Sequence, residues 1–404
     1  MPQVNPEILR WARETAGLSL EEAVAKLGIN DARGESAIDR LIALEQGVGE
    51  PTRPLLLKMV QQYRRPLIAF YLAEPPKVSD RGHDFRTLPA DHTRRDDALV
   101  DALLRDVKAR QEMVRALLEA EDEAVQLPFV GSMSMRDGAS KVLASIVETL
   151  GLDREQFCKG IRGDRSAAKG FAYLRQRAED VGVFVLLVGN LGSHHTAVDV
   201  ELFRGFALAD PIAPFIAIND QDSDRAWSFT LLHELAHIWI GESGVSGANP
   251  SLPVEKFCND VAGAFLLPDS EIERERGIGE RSIEEIMARI GEIASRSEVS
   301  HSMVAYKLWR LGIISRDQWA EISGAFRQHW LRHRAAAREA KRGGTGPDYY
   351  IVRRHRLGER LVELSRRMMA GGALSPTKAA RILSVKPSNV YPLISGASSP
   401  WQAA

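Results

Sequence analysis

The spacing of apolar residues divides the chain into helical outer parts and a short strand-rich centre. Through the first 73 residues, apolar side chains recur every three or four positions, which predicts a run of short helices. Ser19 and Glu22 have the spacing of a capping box and predict the start of the second helix. Residues 94–124 carry a longer apolar stripe, so one long helix is expected there.

The spacing of apolar residues changes near residue 183. The segments 183–188, 198–208 and 215–218 are rich in β-branched and aromatic residues, which predicts three buried strands. Helical spacing then returns at Asp224, where a helix is expected to run to Gly241, and a second helix follows Pro253. Helices dominate the remainder, with a break near residue 345. The pattern predicts an α+β fold that is mostly helical and contains a small β-sheet.

HELAH at residues 233–237 is the segment with the clearest chemistry. Positions four apart share one face of a helix, so His233 and His237 can offer two imidazole nitrogens to one metal ion. Glu234 places a carboxylate beside the first histidine, where it can act as a general base. Residues 230–240 carry no charge except Glu234, so the helix should be buried, where polar groups without a ligand would be costly. The segment predicts a hydrolytic zinc site.

A catalytic zinc site takes a third ligand from the protein. The best candidate is Glu255, eighteen residues after the second histidine and at the start of the next predicted helix. Asn259 lies four residues further on the same face, where its amide can orient a histidine ligand. Asp260 and Glu242 are alternative third ligands.

Three other residues near the motif have less specific interpretations. His194 and His195, in a predicted loop, are candidates for stabilising an oxyanion, although surface histidines without such a role are commoner. Cys258 lies between two candidate site residues, and we expect it to be a small buried packing residue.

These motifs together resemble the ImmA/IrrE family of bacterial metallopeptidases. The resemblance is clearest over about 204–268, from GFALADPIAPFIAIND through HELAH to VEKFCNDVAGAFLLP, and includes DFRT at 84–87 and VSHSMVAYKLWRLGII at 299–314. It implies that zinc is bound by His233, His237 and Glu255, with Glu234 as catalytic base. Asn259 is a departure, because related zinc peptidases have an aspartate there. The family also implies that the substrate is a helix-turn-helix repressor, cleaved in a stress or mobile-element response.

The N-terminal helices resemble an XRE-type helix-turn-helix domain. LRWARETAGLSLEEAVAKLGI matches its first two helices, and LEQGVGEPT at 44–52 matches its closing turn. Residues 1–73 hold nine Lys/Arg and nine Asp/Glu, however, whereas a DNA-binding face is normally basic. A helical domain that contacts proteins, or that holds the peptidase in check, is therefore the alternative.

The C-terminal part of the chain is basic. Residues 321–404 hold fifteen Lys/Arg and five Asp/Glu, which favours a polyanionic partner such as DNA. Segment 374–394 predicts a helix-turn-helix motif. The candidate DNA contacts at the start of its second helix are Lys386, Ser388, Asn389 and Tyr391. Alternatively, the arginines form salt bridges with the acidic middle of the chain; these are Arg353, Arg354, Arg356, Arg366 and Arg367.

Composition adds a few constraints. The 404 residues are 44% apolar and 26% charged, which is typical of two or three globular domains. The two cysteines, Cys158 and Cys258, cannot form a disulfide framework and are not a CxxC pair. The N-terminus has no apolar signal core, and the longest apolar stretch is far below the ~20 residues of a membrane span. We expect a cytoplasmic protein with no membrane segment.

Four segments follow from these patterns. They are an XRE-like helix-turn-helix domain (1–73), a linker (74–93), a zincin-like metallopeptidase domain with a helical extension (94–320) and a basic helical domain (321–404). The predicted function is a zinc-dependent endopeptidase acting on a repressor, with DNA as a further partner. One alternative is a DNA-binding regulator with a structural or sensory metal site, and another is a subunit that binds its target without turnover. Glu234 favours hydrolysis, because binding alone requires no base.

Overall fold

The computed structural model describes residues 3–32, 34–76, 83–84, 92–160, 166–192, 196–246, 252–297, 299–340 and 348–395. The chain divides into two compact units. The first comprises Met1–Gly82, Leu88–Val107 and Asn190–Leu202, and the second comprises His83–Thr87, Lys108–Gly189 and Phe203–Ala404. The HELAH segment and the basic C-terminal helices therefore belong to the same unit.

The first unit contains the predicted run of short helices. These are α1 (Pro6–Thr15), α2 (Leu20–Leu27), α3 (Ala37–Glu45) and α4 (Arg53–Tyr63), followed by a 3-10 helix at Leu67–Tyr71. The capping box of Ser19 and Glu22 is confirmed, because each side chain accepts a hydrogen bond from the backbone N–H of the other residue. Apolar side chains of these helices form a core of their own. The predicted long helix is α5 (Arg94–Ala120), which crosses from the first unit into the second.

A small mixed sheet lies in the second unit. Its strands are β1 (His83–Asp84), β2 (Phe184–Leu187), β3 (Gly205–Leu208), β4 (Phe215–Ile218) and β5 (Gly244–Ser246), in the order β1-β5-β3-β4-β2. β3 is antiparallel to both of its neighbours, β4 and β5, whereas β2 and β4 are parallel. The described residues of β2, β3 and β4 are all buried, as the apolar runs predicted.

The predicted strand at 198–208 is wrong in its first half, since only Gly205–Leu208 is a strand. Val198, Val200 and Leu202 are buried, so the apolar pattern was a signal of burial. The backbone turns at Asp199, whose side chain accepts a hydrogen bond from the backbone N–H of Glu201 at 3.1 Å. An aspartate that bonds the backbone two residues ahead favours a turn over an extended strand.

Helices surround the sheet and form one large apolar core with it. They are α6 (Ala139–Leu150), α7 (Arg154–Gly160), α8 (Ser166–Asp180), α9 (Asp224–Ile240), α10 (Pro253–Leu266), α11 (Asp269–Ile272), α12 (Ile283–Ser297), α13 (His301–Arg310) and α14 (Arg316–Ala340). α9 carries HELAH and packs against α8, α10 and β3. The fold is therefore α+β and mostly helical, as predicted.

Four shorter helices close the described chain. They are α15 (Tyr349–Leu357), α16 (Glu359–Ala370), α17 (Pro376–Ile382) and α18 (Val390–Ser395), with a 3-10 turn at Pro387–Asn389. α15 packs against β2, and α16 packs against α8. The predicted domain boundary at residues 320 and 321 falls inside α14, and the predicted break near residue 345 lies outside the described residues.

Within the described ranges, no helix is both long enough and apolar enough to cross a membrane.

Candidate metal centre

Helix α9 holds the HELAH residues in the interior of the second unit. It ends at Gly241, whose φ of 73° is left-handed and whose N–H bonds back to the carbonyls of His237 and Ile238. Most of its side chains from Ala226 to Trp239 are buried. A helix that is apolar on nearly every side must be covered by its neighbours, so the polar residues of HELAH are enclosed with it.

The two histidines meet on one face of α9. His233 and His237 are 4% and 1% exposed, and their Nε2 atoms lie 3.2 Å apart. Their ring centroids are 4.9 Å apart. This is the arrangement that a spacing of four residues gives on a helix.

Helix α10 brings a carboxylate to the same two nitrogens. Pro253 is the first helical residue, which fits the N1 position, and Glu255 follows in the first turn. Glu255 Oε1 lies 3.1 Å from His237 Nε2, and its Oε2 lies 3.4 Å from His233 Nε2. Ligands at the usual bond lengths of a tetrahedral zinc ion are about 3.3 Å from one another. The donor set therefore fits zinc in chemistry and in spacing.

Asn259 supports this set from one turn further along α10. Its Oδ1 lies 2.9 Å from Nδ1 of His233. The nitrogen Nδ1 then donates to the amide oxygen, which leaves Nε2 of the same ring as the free donor for a metal ion. The structure places the Asn259 amide beside a histidine, as the sequence predicted.

Glu234 is fully buried next to the first histidine. Its carboxylate lies against strand β3, where Oε1 is 2.8 Å from the position that a Cβ would occupy on Gly205. Its negative charge also contributes to the pKa of His233, which burial lowers but which the hydrogen bond and charge of Glu255 raise overall. The carboxylate is thus electrostatically part of the cluster.

The carboxylate of Glu255, the proposed third ligand, remains ionised in this cluster. Burial alone would raise the pKa of Glu255, but hydrogen bonds from His233 and His237 lower it to about 2. Burial has the opposite outcome at His237, whose pKa is lowered because the buried ring is harder to charge. Glu255 and His237 therefore favour the protonation states that bind metals, whereas His233, whose pKa is raised, must release a proton when a metal ion binds.

The alternative ligands have different surroundings. Asp260 forms an ion pair with Arg310 at 2.8 Å on the exposed side of α10. Glu242 follows the end of α9, where its backbone N–H bonds to the carbonyl of His237. The Cys258 thiol can come within 4.8 Å of both histidine nitrogens. The carboxylate oxygens of Glu255 lie 3.1 and 3.4 Å from the two histidine nitrogens, so Glu255 is the better-placed third donor.

His194 and His195 lie outside the described residues. His301 stacks on Phe326, with ring centroids 4.9 Å apart.

Sequence reasoning missed the importance of Gly205 and Thr230 beside Glu234. An isolated glycine in a strand pattern marks a close approach of another group, and this signal was present in RGFALAD.

The candidate DNA-contacting residues of the C-terminal part lie within six consecutive positions, and of these only Tyr391 is inside the second helix. Lys386 precedes the 3-10 turn that contains Ser388 and Asn389, and Tyr391 is in α18 with 59% of its surface exposed. The second helix of the predicted motif is short, at six residues. This part therefore has the predicted order of helix, turn and helix.

All five arginines named for this part bind other groups of the chain. Arg353 donates to the carbonyls of Leu383 and Ser384 at the end of α17. The ion pairs are Arg354 with Glu359, Arg356 with Asp220, Arg366 with Glu363 and Arg367 with Glu123. The ion pairs of Arg356 and Arg367 are with carboxylates in the middle of the chain, as the alternative predicted, whereas those of Arg354 and Arg366 lie within the C-terminal part.

A comparison with protein families places this centre in a known class. Residues 182–308 match the Peptidase_M78 family model, described as the IrrE N-terminal-like domain. The match begins just before β2 and ends in α13, so it includes the sheet strands β2 to β5 and both helices of the metal cluster. This match bears out the predicted resemblance to the ImmA/IrrE peptidases over this segment. No curated protein and no solved structure matches the chain.

Proposed function

We propose that this protein is a zinc-dependent endopeptidase in which His233, His237 and Glu255 bind the metal. The observation that carries the proposal is the convergence of two Nε2 atoms and two carboxylate oxygens at 3.1–3.4 Å. Asn259 fixes the ring of His233 through its Nδ1, and metal-bound histidines commonly have such a partner.

The chemistry divides between the metal and Glu234. When bound, Zn²⁺ supplies the positive charge that polarises a peptide carbonyl and acidifies a water molecule. The Glu234 carboxylate accepts a proton from the attacking water and later donates it to the nitrogen of the leaving amine. Burial of Glu234 keeps this proton out of exchange with bulk solvent and places the base in a low-dielectric site.

Metal content of the purified protein tests the ligand set. We expect about one zinc per wild-type chain and loss of the metal in His237→Ala and Glu255→Ala. Cys258→Ser is the matched control, because Cys258 is on the same helix as Glu255 and should leave the metal in place. Wild-type protein that stays metal-free in excess zinc would refute the proposal. Loss of zinc in Cys258→Ser, with retention in Glu255→Ala, would show that the third ligand is the Cys258 thiol and not the Glu255 carboxylate.

The substrate class rests on the family. Membership of a peptidase family implies a protein substrate. We propose that the substrate is a helix-turn-helix repressor, cleaved in a stress or mobile-element response in the cytoplasm. Labelling of new N-termini in a host lysate treated with wild type or with Glu234→Gln tests this. One or a few sites in a DNA-binding protein, present only with the wild type, are expected. General degradation of many proteins would refute limited cleavage of a repressor.

DNA binding by the C-terminal part is a second candidate function. The observation that favours it is the helix, turn and helix at residues 376–395, which carries the exposed cations Lys378, Arg381 and Lys386. Gel shifts on random-sequence duplex DNA, with the wild type and with a variant carrying Lys378→Ala, Arg381→Ala and Lys386→Ala, provide the test. We expect retention that weakens with salt and is reduced in the variant. Equal retention by both proteins would refute DNA binding by this surface.

A further inference from the structure

Strand β3 passes beneath the carboxylate of Glu234 at a glycine. Gly205 is the first residue of β3, and it is paired with Ile218 of β4 on one side and with Ser246 of β5 on the other. Its backbone is therefore held between two strands and cannot easily move away from α9. Any atom added at Gly205 has to be accommodated by the side chains above it.

There is no room for such an atom. A Cβ on Gly205 would lie 2.7 Å from Thr230 Cγ2, 2.8 Å from Glu234 Oε1 and 3.2 Å from the carbonyl oxygen of Ala217. Contacts below 3.0 Å essentially do not occur for real Cβ atoms. Gly205 is not among the glycines with positive φ, so the backbone conformation itself would accept alanine. Glycine is therefore required at position 205 because a side chain there would collide with Thr230 and Glu234.

Thr230 and Glu234 are one turn apart on α9, so both face β3 at the point where Gly205 lies. The helix reaches the strand so closely that the catalytic carboxylate rests on the backbone of residue 205. We propose that Gly205 is a positioning residue for the general base: its missing side chain determines where the Glu234 carboxylate lies beside His233. This inference rests on the proposed role of Glu234, and it concerns the place of the base and not the binding of the metal.

A double-mutant cycle between Gly205 and Glu234 tests the contact without any assay of activity. Thermal unfolding and zinc content are measured for wild type, Gly205→Ala, Glu234→Ala and the double variant. We expect Gly205→Ala to lower the unfolding temperature of the wild type clearly, and to lower that of the Glu234→Ala protein by less, because the contact with the carboxylate is absent while those with Thr230 and Ala217 remain. Zinc content should be unchanged by Gly205→Ala. Gly324→Ala, where an added Cβ meets open space, is the control substitution.

The catalytic readout separates positioning from packing. For Gly205→Ala we expect kcat to fall by about 100-fold with KM nearly unchanged, because a displacement of about 1 Å at the base suffices for such a loss. Gly205→Ala combined with Thr230→Ser removes the contact with Cγ2 and leaves the contact with Glu234. This variant should remain slow even where it recovers stability.

Three results would overturn the inference. These are equal losses of stability in the two backgrounds of the cycle, wild-type kcat in Gly205→Ala, or full recovery of kcat with Thr230→Ser. If Gly205→Ala does not fold, the Thr230→Ser background is used for the same cycle. A wild-type protein that binds zinc but cleaves nothing would refute the proposed function, whereas the coupling between Gly205 and Glu234 would still be measurable.

Discussion

Arg175 and Glu179, one turn apart on α8, bind the two helix ends that meet at Gly358. The Arg175 guanidinium donates to the carbonyls of His355 and Arg356, at the end of α15. Glu179 Oε2 accepts hydrogen bonds from the first two backbone N–H groups of α16, at 3.0 and 3.2 Å. A cation therefore meets the carbonyl end of one helix and an anion meets the N–H end of the next, as the helix dipoles favour.

The same pair connects the C-terminal helices to the sheet. Arg175 also donates to the carbonyl of Val185 in β2, an outer strand whose free edge would otherwise be exposed. Arg356, in α15, forms an ion pair with Asp220 at 2.6 Å, just after β4. The basic helices are thus an integral part of the second unit: α15 packs against β2, in the same sheet whose strands β3 and β4 contact α9.

Gly358→Ala is expected to destabilise the protein strongly. Gly358 has φ 82° and ψ 152°, a conformation that is essentially restricted to glycine, and its Cβ would lie 2.2 Å from Glu179 Oε1. Gly138→Ala is the matched control, because its φ of 83° and ψ of 148° are nearly the same but an added Cβ there meets nothing within 4 Å. Urea unfolding should give a loss larger by about 2 kcal/mol at Gly358 than at Gly138. Equal losses would mean that the contact with Glu179 contributes nothing.

Glu234→Gln should separate catalysis from metal binding. The amide has the size of the carboxylate but cannot accept the proton, so cleavage of a peptide substrate should fall about 10²–10⁴-fold. Zinc content should be that of the wild type, because the three proposed ligands are unchanged. Glu148→Gln, the same change at an exposed position of α6, serves as control and should retain activity. A fully active Glu234→Gln protein would rule out the base mechanism.

The sequence predicted the elements that depend on local patterns. The bounds of α9 and of β4 were predicted to the residue, since a capping glycine and a compact run of β-branched and aromatic residues mark them. The positions of Glu255 and Asn259 followed from one helical turn between them, and the structure brings both to the histidines. Periodicity is reliable here because α9 and α10 face each other along much of their length.

The contacts between distant segments could not be predicted. Glu179 and the N-terminus of α16 are 180 residues apart in the sequence. Neither segment has a sequence pattern that indicates the other as its partner. The net charge of the C-terminal part likewise did not reveal that its arginines bind Asp220, Glu123 and backbone carbonyls. Charge counts describe a segment alone, whereas ion pairs depend on what the fold places beside it.

Asn259→Ala is expected to weaken zinc binding about 10–100-fold, because His233 then loses the acceptor that orients its ring. Asn259→Asp should bind at least as tightly as the wild type, since the acceptor is kept and gains a negative charge. Competition with a chromophoric chelator measures both affinities. Asp260→Asn provides the control, as it removes only the exposed ion pair with Arg310. Wild-type affinity in Asn259→Ala would show that the amide does not support the ligand.

The two cysteines should differ in reactivity, and the difference bears on the third ligand. Burial and nearby carboxylates raise the pKa of Cys258, so its reactive thiolate form is scarce, whereas Cys158 is only half-buried. Iodoacetamide at pH 8 should therefore add once to the folded protein, at Cys158, and twice after unfolding, as read by intact mass. Chelation of the metal should leave this pattern unchanged if Glu255 is the third ligand. Rapid labelling of Cys258 only after chelation would instead indicate that its sulfur binds the zinc ion.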